Sequence, residues 1–144
     1  EMSASLVGSE MCIRDSAYTA NNPFMAYNHI QITVIGEDAN GDHYAEVSVE
    51  LRPESMNLHG AVHGGLLYGL ADCVAGIAAR CDGSDYVTQS AHINFLRNTN
   101  HGTVFARAEV IRRGRRMAVI HVTVRDGEDN LLADCAVDMM RMET

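Results

Sequence analysis

The chain has 144 residues and a formal net charge of −8, which suits one domain with a hydrophobic core and argues against nucleic-acid binding. No run approaches the roughly 18 consecutive apolar residues of a membrane span, so we expect no membrane partner. The four cysteines form no CxxC pair, which indicates a reduced, cytoplasmic protein without a disulfide scaffold.

Residues 1–16 fit neither a helical nor a strand period, and we expect them to be a non-native or disordered segment. We therefore assign a single domain to residues 17–144. Near its start, Asn22 and Pro23 predict the cap and first turn of a short helix. Six later segments alternate apolar and polar residues as β-strands do. These segments span residues 29–36, 44–52, 87–96, 103–112, 116–125 and 131–142.

The one long helical pattern covers residues 63–80, between the second and third strands. The predicted order is therefore β-β-α-β-β-β-β, and short connections predict an antiparallel meander of the last four strands. A single helix among strands is expected to be the element that the sheet wraps. Six larger residues share one helical face and predict the side that packs against the core. They are Leu66, Leu70, Cys73, Val74, Ile77 and Cys81.

Asp72 lies on a different face of this helix, which is nearly free of large side chains. Gly65, Gly69 and Gly76 share that face, and an interior glycine costs a helix about 1 kcal/mol relative to alanine. The small face therefore predicts close packing, or the approach of a ligand or a second chain, or both. A carboxylate on such a face is suited to act as a general base or a nucleophile.

The start of the helix supplies a complementary group. At His63, Gly64 and Gly65 the backbone N–H groups have no intrahelical acceptor and lie at the positive end of the helix dipole. Glycine lets a ligand approach the backbone closely, so this turn suits the stabilisation of a developing oxyanion. Because Asp72 lies two to three turns further along the same helix, we expect a second subunit to bring the two groups together.

Asn57, the His63–Gly65 turn and Asp72, in this spacing, resemble the signature of hotdog-fold acyl-CoA thioesterases of the phenylacetyl-CoA thioesterase (PaaI-like) family. The resemblance covers roughly residues 21–142. It implies an α+β hotdog fold, in which a curled antiparallel β-sheet wraps around one long central α-helix. It also implies a homodimer, or a homotetramer built as a dimer of dimers, with sites at the subunit interface. Further matches are the NPF, INFLR and IRRGRR segments, at residues 22–24, 93–97 and 111–116.

The resemblance implies hydrolysis of an acyl-CoA thioester to a carboxylic acid and CoA, with no metal and no cofactor apart from the CoA of the substrate. Asp72 corresponds to the catalytic carboxylate, as general base or nucleophile. Gly64, helped by the His63 turn, corresponds to the group that polarises the thioester carbonyl. Asn57 corresponds to the residue that orients the thioester or the attacking water. Ser90 corresponds to a water-positioning residue on a strand of the other subunit, and the adjacent Thr88 and Gln89 are further candidates for that position.

Four further residues are expected to contact the substrate. Gly65 allows close approach at the helix start, and Tyr68 on the small face is expected to shape the acyl pocket. Arginine suits bidentate contacts with phosphate, and the C-terminal third of the chain is rich in it. Arg97 and Arg113 are therefore predicted to bind the nucleotide end of CoA, and a solvated hairpin is the alternative.

Three other interpretations of these residues compete with a thioesterase. His59 and His63 are four residues apart, but the loop context at Gly60 argues against a preformed metal pair. A hotdog (de)hydratase pairs a catalytic histidine with a carboxylate, and the spacing of His63 and Asp72 fits a thioesterase better. A non-catalytic acyl-CoA-binding module has no need of a carboxylate, so an intact Asn57, Gly64 and Asp72 favour an enzyme.

Overall fold

The computed structural model describes residues 22–143, so the predicted segment 1–16 and the predicted domain boundary at residue 17 lie outside the described residues. The described part forms two α-helices, one 3₁₀ turn and six β-strands. In chain order they are α1 (Pro23–Tyr27), β1 (Gln31–Glu37), β2 (His43–Glu50), the 3₁₀ turn (Pro53–Ser55), α2 (Gly64–Arg80), β3 (Tyr86–Phe95), β4 (Thr103–Arg113), β5 (Met117–Asp126) and β6 (Leu131–Arg141).

All six strands form one antiparallel sheet in the order β1-β2-β4-β5-β6-β3. The sheet curls around α2, which packs against five of the six strands. The predicted α+β hotdog fold, with a curled antiparallel sheet around one long central helix, is confirmed. Neither helix in the described range is long and apolar enough to cross a bilayer.

The prediction of a four-stranded meander is wrong, because β3 pairs with β6 and only β4, β5 and β6 form a meander. The connection at residues 96–102 is longer than the usual hairpin loop and does not fold back on β3. The N–H of Leu96 instead donates to the Leu132 carbonyl of β6, and the Thr99 carbonyl accepts from Val62 N–H at 2.8 Å. This path across the end of the sheet leaves β3 as a free edge strand.

The buried face of α2 is broader than predicted. Leu70, Val74 and Ile77 are buried as expected, whereas Leu66 and Cys73 are only partly buried. The sheet encloses the helix on several sides, so its alanines are buried as well, whereas its glycines are only partly buried or exposed. The buried residues of α2 are Leu67, Leu70, Ala71, Val74, Ala75, Ile77, Ala78 and Ala79.

Candidate active site

The N-terminus of α2 begins at a histidine cap. His63 has extended backbone angles (φ −68, ψ 131), and its Nδ1 accepts a hydrogen bond from the Gly65 N–H at 2.8 Å. A Cβ on Gly65 would lie 2.9 Å from that nitrogen, so the cap requires glycine here. Among residues 22–143, the Gly64 N–H has no hydrogen-bond acceptor. One backbone donor is therefore free at the positive end of the helix dipole.

The loop before this cap is held by Asn57. Its side-chain Oδ1 accepts from the backbone N–H groups of His59 at 2.9 Å and Ala61 at 3.2 Å. Gly60 turns the loop with a positive φ of 75°, where a side chain would be strained. Because its carbonyl oxygen is used inside the loop, the amide nitrogen of Asn57 is the side-chain group left to contact a ligand.

Phe95, the last residue of β3, packs on Gly64. A Cβ on Gly64 would lie 3.2 Å from Cζ of the phenyl ring, which is itself 53% exposed. Sequence reasoning missed this contact, since Phe95 reads only as the end of an alternating strand. The Phe95 ring therefore lies against Gly64, the residue whose N–H is free. The absence of a side chain at Gly64 leaves room for the ring there.

Asp72 lies eight residues further along α2, about 12 Å from Gly64 at the helical rise. It is partly buried, and Thr88 Oγ1 on β3 donates to its Oδ1 at 2.5 Å. Burial, and then the charge of Asp72, raise the pKa of the neighbouring Cys73 thiol to about 12. Cys73 therefore stays protonated at neutral pH and is a packing residue rather than a nucleophile.

A cleft of about 240 Å³ opens beside Asp72 between α2 and β3. Thr88 forms part of its wall and also contacts Met139 Sδ at 3.4 Å. The sequence indicates Thr88 only as a candidate beside Ser90 for the water-positioning residue, and its hydrogen bond to Asp72 was not predicted. The residues lining the cleft from α2 are Asp72, Cys73, Gly76, Ile77 and Arg80.

Ser90 lies on the outer face of β3. A bulge between Thr88 and Ser90 shifts the alternation, so that Thr88 faces the helix and Ser90 does not. The Ser90 hydroxyl donates to Asp138 on β6 at 3.1 Å. Its predicted role belongs to a second subunit and stays a prediction. Tyr68, which is half exposed, directs its hydroxyl to the Ala91 carbonyl of β3 at 3.5 Å.

The two arginines predicted to bind CoA have other partners within the chain. Arg97 donates to Asn130 at 2.9 Å, at the turn between β5 and β6. Arg113 donates to the carbonyls of Ala79 at 2.8 Å and Ala78 at 3.3 Å, which end α2. These contacts explain both residues without a ligand, and their contact with CoA stays a prediction.

Asp82 organises a charged cluster at this C-terminal end of α2. It accepts from Tyr86 at 2.6 Å and Arg141 at 2.7 Å, and pairs with Arg113 at 3.0 Å. Burial alone would raise the pKa of Asp82, but hydrogen bonds from Tyr86, the Ser84 N–H and Arg141, with the charge of Arg113, hold it below its ordinary value. The cluster therefore holds a charged carboxylate beside the helix carbonyls and their arginine.

Gly64 and Asp72 lie near opposite ends of β3. Gly64 contacts Phe95 at the end of the strand, and Asp72 contacts Thr88 near its start. In one chain the free N–H and the carboxylate therefore cannot reach the same carbonyl group. Within residues 22–143 no group of three or more histidine, cysteine or acidic side chains is arranged to hold a metal ion.

The profile of the thioesterase superfamily matches residues 59–133. The thioesterase HI1161 of Haemophilus influenzae is 26% identical, with a TM-score of 0.77 over 85% of this chain and 84% of that one. A variant of the phenylacetic acid degradation protein PaaI of Thermus thermophilus is 30% identical, with a TM-score of 0.76 over 84% of this chain and 100% of that one. These matches confirm the resemblance drawn from the sequence.

A third solved structure, smu.793 of Streptococcus mutans, is bound to acetyl CoA. It is 23% identical, with a TM-score of 0.73 over 80% of this chain and 90% of that one. At that identity the likeness is one of fold.

Proposed function

The chain belongs to the thioesterase superfamily and is a thioester hydrolase, and we propose that its substrates are acyl-CoA thioesters, which water splits into a carboxylic acid and CoA. The observation that carries the proposal is the free N–H of Gly64 at the positive end of α2, on a chain that also holds Asp72 beside an open cleft. The acetyl CoA bound to the fold neighbour smu.793 supports CoA as the thiol part.

We propose that the active unit is a homodimer formed through β3. A ten-residue edge strand with exposed Val87 and Phe95 is open to pairing, and a second copy would close it. Antiparallel pairing of two β3 strands about a two-fold axis sets the Thr88 end of one against the Phe95 end of the other. Asp72 of one subunit then approaches Gly64 of the partner subunit.

In this dimer the thioester carbonyl oxygen accepts from the Gly64 N–H, which polarises the carbonyl carbon. As general base, Asp72 of the other subunit takes a proton from water while the water oxygen attacks that carbon. The tetrahedral oxyanion is held by Gly64, and its collapse breaks the C–S bond and returns the proton to the CoA sulfur. As nucleophile, Asp72 would attack the carbon itself, break the C–S bond and expel the CoA thiolate, forming a mixed anhydride. Water then opens the anhydride to the carboxylic acid and the free Asp72 carboxylate, and the proton released goes to the CoA sulfur. The free amide nitrogen of Asn57 is suited to orient the thioester.

Two arginines of the β4–β5 hairpin are better suited to CoA than Arg97 and Arg113. Among the described residues, the guanidinium groups of Arg115 and Arg116 have no partner, and both line a groove of about 960 Å³. Val87 of β3 also lines this groove. The groove therefore begins next to Thr88, the residue whose hydroxyl donates to Asp72. We propose that phosphate groups of CoA bind here.

A thiol-release assay across aryl and medium-chain acyl-CoAs tests the proposed function. We expect release of free CoA from at least one class, with saturation at micromolar to millimolar substrate, as is usual for enzymes. A folded oligomer that binds acyl-CoA and releases no thiol from any of them would refute the proposal and favour a binding module.

A further inference from the structure

A second cleft lies beside the start of α2, and β3 contributes nothing to it. Its volume is about 640 Å³, which falls in the range of roughly 300–1,000 Å³ typical of small-molecule sites. His63 and Gly65, the two neighbours of Gly64, form part of its wall. A thioester held at the Gly64 N–H therefore has this cleft next to it. The other walls come from α1, the segment after it and the 3₁₀ turn.

Arg52 is the cationic residue of the cleft wall, and its guanidinium is poorly satisfied. The Nε atom is buried and has no hydrogen-bond partner among residues 22–143. Its ion pair with Glu54 is long, at 3.9 Å, and the Glu54 side chain is 71% exposed, so the pair is weak. The Arg52 side chain is 35% exposed and arginine keeps its charge, so its terminal nitrogens, rather than the buried Nε, are open to an acceptor oxygen in the cleft.

Aromatic side chains of α1 complete the binding surface. Phe24 is 48% exposed and Tyr27 is 82% exposed, although both line a concave site. The Phe24 ring is fixed from behind, because a Cβ on Gly69 would lie 2.9 Å from its Cζ. The cleft thus combines apolar ring surface with one guanidinium held by a single weak ion pair, which matches a ligand with a carbon chain and an anionic end.

We propose that this cleft receives an anionic group of the substrate, a carboxylate or phosphate oxygen that pairs with Arg52, and that Arg52 is a specificity-determining residue. The inference rests on the proposed function, because it takes the thioester carbonyl to lie at Gly64. Two parts of an acyl-CoA carry such oxygens. One is the far end of a dicarboxylic acyl group, and the other is a phosphate of CoA.

Binding is measured by isothermal titration calorimetry on the Asp72→Asn protein, so that turnover does not interfere. The ligands are glutaryl-CoA and pentanoyl-CoA, which have acyl chains of equal length, and the glutaryl thioester of N-acetylcysteamine, which lacks the nucleotide. If the acyl carboxylate pairs with Arg52, Arg52→Gln raises the dissociation constants of both glutaryl ligands about tenfold or more and leaves that of pentanoyl-CoA unchanged. If a CoA phosphate pairs with Arg52, the same change raises the dissociation constants of both CoA esters and leaves that of the N-acetylcysteamine thioester unchanged.

Arg125→Gln is the matched control, since Arg125 has a similar weak ion pair, at 3.8 Å to Asp129, and neither residue lines this cleft. It should leave every dissociation constant unchanged, and Arg52→Lys should recover part of the lost affinity. The inference is overturned if Arg52→Gln changes no dissociation constant by more than about twofold, or weakens all three ligands equally. Failure of the proposed function is seen separately, as absence of thiol release by the unmodified protein.

Discussion

The two ends of α2 are built in opposite ways. At the C-terminus, the carbonyls of Ala78 and Ala79 accept from Arg113, and Asp82 holds that arginine in place. At the N-terminus, His63 satisfies the Gly65 N–H, and the Gly64 N–H has no acceptor among residues 22–143. A helix leaves unpaired backbone groups at both ends, and this chain supplies partners for one end more completely than for the other.

The difference separates stability from function. A satisfied helix end with a cation beside its carbonyls stabilises the fold. An unsatisfied N–H beside two glycines contributes little to stability and is available to an oxyanion. Unsatisfied backbone groups of this kind occur most often at functional sites. The N-terminal end of α2 is therefore the end to test for a role in catalysis.

The largest effect is expected from Asp72→Asn, which removes the base or nucleophile and keeps the shape of the side chain. We expect kcat for acyl-CoA hydrolysis to fall about 100- to 10,000-fold, with little change in the free energy of unfolding. Steady-state thiol release and urea denaturation measure the two quantities. The same change at Asp82, a carboxylate at the other end of α2, is the control and should leave kcat unchanged. Full activity of the Asp72→Asn protein would remove this residue from the mechanism.

Replacing Gly64 tests the free N–H directly. Gly64→Pro removes the donor, and proline is tolerated at the first position of a helix, after a residue with the extended angles of His63. Gly64→Ala keeps the donor and adds only the Cβ that Phe95 must accommodate. We expect kcat of the proline variant to lie about 100- to 1,000-fold below that of the alanine variant. Equal activities of the two variants would exclude the N–H as oxyanion donor.

Asp82→Asn should destabilise the C-terminal end without affecting chemistry. We expect a loss of about 2 kcal/mol in the free energy of unfolding at pH 7, because Arg113 and Arg141 lose a charged acceptor. Activity below the melting temperature should be retained. A stability unchanged at pH 7 would show that the cluster does not hold this end of the helix.

The pH dependence of this loss has a definite sign. Burial raises the pKa of Asp82, but the hydrogen bonds it accepts and the charge of Arg113 outweigh burial and hold this pKa below its ordinary value. Its contribution is therefore present above about pH 4 and is lost as the pH falls through the lower folded pKa. Urea denaturation at descending pH should show the difference between the unmodified protein and Asp82→Asn narrowing below about pH 4.

The smallest effect is expected from Thr88→Val, which removes the hydroxyl that donates to Asp72. We expect roughly a tenfold fall in kcat, as for the loss of one hydrogen bond to a charged group. Thr88→Ser keeps the hydroxyl and serves as the control. If valine and serine variants have the same kcat, this hydrogen bond does not position the carboxylate.

The fold was largely predictable because alternation and helical period are local properties of the sequence. The pairing of β3 with β6 was not, since it depends on the path of residues 96–102 across the end of the sheet. Alternation and a short connection favour β3 and β4 as hairpin neighbours, whereas the structure pairs β3 with β6 from Tyr86 to Phe95.

The chemistry-bearing residues of the helix were also visible in the sequence. On β3, Thr88 was only one of three adjacent candidates, and the contact of Phe95 with Gly64 was not predicted. The bulge between Thr88 and Ser90 turns Thr88 towards α2, and no residue pattern in this strand predicts a bulge there. Beyond the bulge, Phe95 lies on the same face as Ala91 and Ile93, as the alternation predicts. The roles of Arg97 and Arg113 were hard to predict because arginine serves phosphate binding and helix ends equally well.

The central claim is that Gly64 and Asp72 act in one site from two different subunits. It is tested by isolating the mixed dimer of a Gly64→Pro subunit and an Asp72→Asn subunit, each on its own inactive. We expect about half the thiol-release rate of the unmodified dimer, because one of the two symmetric sites keeps both groups. A mixed dimer as inactive as the two parent variants would contradict it and return both groups to a single chain.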